Sequence, residues 1–216
     1  MKDKIIHNKK VIIATISIFI FLIILRNIYK YEIASYDTFA YNLFVEDLRN
    51  NNLTLIMKFI TALGSGIVLI AIVILMFLLY KNKRETLLAA INLGTITLLN
   101  NIVKIIIKRP RPIGYRLVTE NSYSFPSGHS MISTAFYGLI IYLIYKNVKD
   151  KRKKYLYIIL LFILIISICI SRIYLGVHYL SDTAGGFFLA ITYLMIFISL
   201  IPKEKKDTHE KKKNKN

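Results

Sequence analysis

The stretch Lys151-Arg-Lys-Lys-Tyr-Leu-Tyr-Ile-Ile-Leu-Leu-Phe-Ile-Leu-Ile-Ile-Ser-Ile-Cys-Ile-Ser-Arg172 decides the fold. A cluster of cations gives way to an apolar run interrupted only by Ser167. The run is close to the ~20 residues a helix needs to cross a hydrocarbon layer. Working outward, the same alternation recurs along all 216 residues, with candidate spans at 10–29, 58–80, 86–107, 128–146, 155–174 and 181–201. The chain is 55% hydrophobic yet carries a net charge of +18. Charge without apolar content marks disorder, but here the two are abundant and segregated, the pattern of a polytopic membrane protein. The expected fold is therefore all-α, with six transmembrane helices and a short amphipathic connector helix. The single cysteine, Cys169, excludes an internal disulfide framework and a multi-Cys zinc site. The positive charge sits mostly in loops suited to an anionic leaflet, so the bilayer rather than nucleic acid is the expected partner.

Those basic loops orient the chain. Lys2, Lys4, Lys9 and Lys10 precede the first span. Lys81, Lys83 and Arg84 follow the second, and Lys146 to Lys154 follow the fourth. Lys203 to Lys215 close the chain. With positive loops inside, both termini are expected to be cytoplasmic. The first span resembles a signal peptide in having basic residues before it. No small-x-small cleavage pattern follows, so a retained helix is expected. Residues 33–50 show helical spacing of Ile33, Tyr36, Phe39, Ala40, Leu43 and Phe44. They read either as a helix lying in the outer headgroup region or as a packed connector. A single membrane domain, 1–201, is expected, followed by a disordered basic tail, 202–216.

Segment 108–127 is basic and falls on the predicted outer side, against the charge bias. Three polar stretches cluster at span ends on that side. They are Lys104-x6-Arg111-Pro112, Pro126-Ser127-Gly128-His129 and Ser171-Arg172-x5-His178-x3-Asp182. Converging, Lys104, Arg111 and Arg172 would neutralise a phosphate dianion and the charge that develops in its transfer. Ser127 and Gly128 open a helix, whose free N–H groups favour anions. His178 and Asp182 share a helical face at i,i+4, so the carboxylate can fix the imidazole tautomer and leave the other nitrogen free to attack. His129 supplies a second imidazole for acid and base work. Lys108, Arg109 and Arg116 read as ordinary headgroup contacts. A His–Asp pair also suits a metal, but no dense carboxylate set accompanies Asp182, so neither a metal nor another cofactor is expected.

These stretches resemble the signature of the type 2 phosphatidic acid phosphatase family, and every defining position matches. The likeness covers the chain from about 55 to 200. It implies a metal-independent lipid phosphate or diphosphate phosphatase. In that reading His178 is the nucleophile that becomes a phosphohistidine, and Asp182 orients it. His129 is the general acid and then base, while Lys104, Arg111, Ser127, Gly128 and Arg172 hold the phosphoryl oxygens. The family's bacterial membrane members act on undecaprenyl diphosphate, phosphatidylglycerophosphate or phosphatidic acid. Chemistry at the outer face of a bacterial cell membrane puts undecaprenyl diphosphate slightly ahead. A sphingolipid or lipid A phosphatase is a further enzyme alternative. A transporter or scaffold is the non-enzymatic alternative; it would need the cations but not two imidazoles and an orienting carboxylate. No required protein partner is evident from the sequence.

Overall fold

The computed structural model describes residues 2–202, in which every regular element is a helix and no strand occurs. From residue 203 onward, the expected basic tail lies outside the described residues. The elements are α1 (Lys2–Tyr31), α2 (Ser35–Tyr41), a π-helical turn (Asn42–Asp47), α3 (Asn51–Leu63) and α4 (Gly66–Leu79). They continue with α5 (Lys83–Ile107), α6 (Gly128–Asn147), α7 (Lys151–Tyr174) and α8 (Leu180–Leu200). Helices α1, α5, α6, α7 and α8 are each long and apolar enough to cross a membrane, and the α3–α4 pair makes a sixth crossing if counted as one span. The chain is a multi-pass membrane protein.

Local chemistry sets the helix starts. Asn50 accepts from Leu53 N at 2.9 Å to begin α3, and Asp150 accepts from Lys153 N at 3.1 Å to begin α7. Ser65, Asn82 and Ser127 cap α4, α5 and α6 in the same way. Each side-chain oxygen satisfies a backbone donor that the first helical turn leaves unpaired. Helix α5 stops at Lys108, which takes a left-handed conformation at φ 52°. Pro110 and Pro112 then prevent the helix from resuming.

The span expected at 58–80 is not one straight helix. It bends by 51° between α3 and α4. The cause is local. A Cβ at Gly64 would lie 2.7 Å from Ser133 Oγ and 2.8 Å from Ile168 Cγ2, so α3 ends pressed against α6 and α7. Ser65 then caps a new helix in a new direction. The 33–50 segment forms α2 and the π-helical turn, with Asp37, Ala40 and Val45 buried. This is the packed-connector reading, although Phe39 and Ile33 on the same segment stay exposed.

Helix α6 runs through the middle of the bundle. Phe136, Leu139 and Leu143 pack with Leu69, Ala89, Ile165, Ile168 and Leu194 from the surrounding helices. On the outside, Val11, Phe19, Leu22, Ile74, Leu78, Ile105 and Ile163 are exposed, as lipid-facing positions should be. Lipid supplies no hydrophobic drive between helices, so close approach at small residues matters more. Gly186 of α8 is such a point, because a Cβ there would lie 2.9 Å from the Ser127 carbonyl oxygen. Overpacking of this kind typically costs ~1–3 kcal/mol. Gly186→Ala should therefore lower the thermal midpoint in detergent micelles. Gly66→Ala, where a Cβ meets nothing within 4 Å, should leave it at the wild-type value.

Candidate active site

The C-terminal ends of α5 and α7 and the N-terminal ends of α6 and α8 meet at one end of the bundle. Two connections close over them, residues 108–127 and 175–179. They are pinned together by Leu117 N to Leu175 O at 3.0 Å, while Ser124 N to Arg109 O at 2.9 Å folds the longer one back on itself. The three polar stretches of the sequence all arrive here.

His178 is buried in the short connection. Its Nε2 lies 3.1 Å from Arg111 Nη1, and its Nδ1 lies 3.4 Å from Asp182 Oδ2 and 3.4 Å from Ser124 Oγ. A guanidinium only donates, so Nε2 must present its lone pair and Nδ1 carries the proton toward the carboxylate. That is the tautomer a nitrogen nucleophile at Nε2 requires. Burial pushes the His178 pKa down to about 4, and Arg172 and Arg111 push the same way against the opposing pull of Asp182. The imidazole is thus neutral, with its lone pair available, down to mildly acidic pH.

Asp182 is fully buried. Its Oδ2 accepts from Tyr179 N at 2.9 Å and from the Ser124 hydroxyl, and its Oδ1 accepts from Arg109 Nη1 at 2.6 Å. The Tyr179 bond makes Asp182 a cap of α8 as well as the partner of His178. Ser127 N donates to the Asp182 carbonyl at 3.0 Å, tying the start of α6 to the start of α8. Ser127 itself is buried as the cap of α6, Gly128 is the first residue of that helix, and His129 follows, half-buried. The His129 imidazole stands within electrostatic reach of Arg172, His178, Arg111 and Lys104.

The three cations converge as expected. Arg111 donates from Nη1 to Val177 O at 2.8 Å and from Nε to Ser122 O at 2.6 Å. Lys104 bonds the Tyr123 carbonyl and lies 3.4 Å from Ser122 Oγ, which also accepts from Arg111 Nη2 at 3.1 Å. Arg172 donates to Thr61 Oγ1 at 2.8 Å. Among the described residues, no group of three or more His, Cys, Asp or Glu is arranged to hold a metal ion. The chemistry these groups offer is capture of a small polyanion beside an aligned imidazole nucleophile, with a second imidazole at hand for proton transfer.

One expectation fails here. Arg109 is not a headgroup contact: it is only 3% exposed, and its guanidinium joins Asp182 to Asp37 Oδ2, 3.0 Å away on α2. Lys108 is exposed as expected, whereas Arg116 donates to the Pro112 carbonyl within its own loop, at 2.6 Å from Nη2. Sequence reasoning also passed over Ser124, Thr61 and Glu120. Glu120 bridges two of the cations, with Oε2 3.5 Å from Arg111 Nη2 and Oε1 paired to Arg172 Nη2. It is the sole acidic residue in the basic segment 108–127, which is the signal that marks it.

The sequence profile of the PAP2 superfamily matches residues 85–206. Phosphatidylglycerophosphatase B of Bacillus subtilis (strain 168) is 38% identical over 148 residues, 66% of this chain and 71% of that protein. Dolichyldiphosphatase of Saccharomyces cerevisiae is 33% identical over 96 residues, 41% of this chain and 40% of that protein. The crystal structure of a transmembrane PAP2 type phosphatidylglycerolphosphate phosphatase from Bacillus subtilis superimposes with a TM-score of 0.81 at 32% identity, over 90% of this chain and 98% of that one.

Glu120 has a consequence for anion binding. Its carboxylate engages Arg111 and Arg172 through the same kind of N–H donor that a phosphate would use, so an entering oxyanion competes with it. Glu120→Gln keeps the shape and removes the charge. It should bind orthovanadate roughly tenfold more tightly, equivalent to about 1.4 kcal/mol, in calorimetric titration of the purified protein. An unchanged affinity would mean that the carboxylate does not compete.

Proposed function

Since the chain belongs to the PAP2 superfamily and is a membrane phosphoric ester hydrolase, we propose that it hydrolyses phosphatidylglycerophosphate through a phosphohistidine on His178. The observation that carries the mechanism is the two-sided environment of that imidazole, with Nδ1 toward Asp182 and Nε2 toward Arg111. In the first step Nε2 attacks phosphorus and the bond to the lipid oxygen breaks. His129 gives that oxygen its proton. In the second step water attacks phosphorus, the N–P bond breaks, and His129 takes a proton from the attacking water. Inorganic phosphate leaves and the imidazole is restored. Lys104, Arg111, Arg172, Ser127 and Gly128 hold the three phosphoryl oxygens as charge shifts toward them. Asp182 stabilises the positive ring of the intermediate.

The likeness to phosphatidylglycerophosphatase B, in sequence and in structure, favours phosphatidylglycerophosphate over the undecaprenyl diphosphate that outer-face chemistry put first. The likeness to a dolichyldiphosphatase keeps a lipid diphosphate as the second reading. The test is phosphate release by the purified protein, in excess chelator, from phosphatidylglycerophosphate, phosphatidic acid and undecaprenyl diphosphate at equal surface fraction in micelles. The highest kcat/KM is expected on phosphatidylglycerophosphate. His129→Ala should slow it by ~10²–10⁴-fold, the usual worth of a general acid. Preference for the diphosphate would favour the second reading, and activity that needs added magnesium would overturn the metal-free mechanism.

The basic loops support an active site on the outer face of a bacterial cell membrane, with both termini in the cytoplasm. In a Cys169→Ser background, an impermeant thiol reagent on intact cells should label Asn121→Cys and spare Asn147→Cys. The reverse pattern would overturn the orientation and the outer-leaflet substrate.

A further inference from the structure

Asp37 lies far outside the three motifs, on the connector helix α2, and it is 1% exposed. Its Oδ1 accepts from Ser181 N at 2.8 Å, and its Oδ2 accepts from Ser181 Oγ at 2.7 Å and from Arg109 Nη2 at 3.0 Å. Arg109 in turn donates from Nη1 to Asp182 Oδ1 at 2.6 Å and stacks its guanidinium over the Tyr179 ring, 4.3 Å from the centroid. The buried order is thus His178, Asp182, Arg109, Asp37, alternating in charge. Arg109 alone would neutralise Asp182 and weaken its support of a positive imidazole. Asp37 offsets Arg109 and leaves the set with a net charge of −1.

We propose that Asp37 is a positioning residue of the reaction. Acting through Arg109, it keeps the Asp182 carboxylate both aimed at His178 and electrostatically effective when the ring becomes positive. This rests on the reading of His178 as the nucleophile. The other charged or titratable groups around His178 are Arg111, Glu120 and Tyr179 on the connections, Arg172 on α7, Lys104 on α5 and His129 on α6, and none of them is altered below.

The experiment uses the full-length protein in micelles with a soluble aryl phosphate. Its leaving group needs no proton, so kcat/KM reports attack by His178 without the acid role of His129. The acid limb of kcat/KM, taken as a ratio to wild type so that substrate ionisation cancels, reads the His178 imidazole. Asp37→Asn removes a negative charge, so the imidazolium is less stable. The limb should move down by ~0.5–1 unit and kcat should fall ~3–10-fold at little cost in KM. Arg109→Gln should move the limb up. The double variant should return it to near the wild-type position, and Asp37→Glu should hold it there. A structural anchor would lower folded yield without this ordering. Coincident limbs, or shifts of one sign in all variants, would overturn the proposal. Should Asp37→Asn not fold, Arg109→Gln and Asp37→Glu decide. A raised limb in the first with an unmoved limb in the second supports the proposal, and an unmoved limb in Arg109→Gln overturns it. Rapid-quench labelling of His178→Ala with radiolabelled substrate runs alongside. A phosphoenzyme that survives in that variant refutes the nucleophile assignment itself, a failure distinct from failure of the Asp37 role.

Discussion

A fully buried carboxylate at the head of α8 is the constraint around which this end of the bundle is built. Asp182 cannot stay ionised away from water without donors on both oxygens, and removing one partner from such a pair typically costs ~3–5 kcal/mol. The fold meets that demand with four donors. The backbone of Tyr179 and the ring of His178 come from the short connection, and Ser124 and Arg109 from the long one. Each donor fixes the segment that carries it. The carboxylate that faces the imidazole therefore also ties the two connections together.

The second organising force is the cost of holding cations near a membrane. Lys104, Arg111 and Arg172 are all buried, and like charges so close repel unless something stands between them. Glu120 and the oxygens of Ser122, Tyr123 and Val177 fill that role. Glu120 offsets one of the three positive charges, and a phosphate dianion would offset the other two.

Much of this was legible in the residues. Runs such as 155–170 mark spans, and the i,i+4 spacing of His178 and Asp182 announces their pairing, although His178 lies in the connection and not on α8. The family signature places eight site residues, and all eight gather at one end of the bundle. What escaped reading has a common cause, namely partners far apart in sequence. Arg109 looked like one more loop cation because its two carboxylates come from residues 37 and 182. Thr61, the partner of Arg172, belongs to a helix that looked like uniform membrane filler. The break at Gly64 was hidden because apolar content runs straight through it, and only the packing of Ser133 and Ile168 forces the turn. Asp37 did leave a trace. It falls on the apolar stripe formed by Ile33, Ala40 and Phe44, and a carboxylate on such a stripe announces a buried cation.

The region shared with the superfamily profile begins at residue 85, yet Asp37 and Thr61 reach into the site from before it. The boundary of the superfamily profile and the boundary drawn by electrostatics are different lines. The N-terminal helices are then not an interchangeable adaptor. A chimera that grafts them from a relative inherits or loses the counter-ion of Arg109 with them, so recombination across residue 85 succeeds only where both halves agree on that one pair of charges.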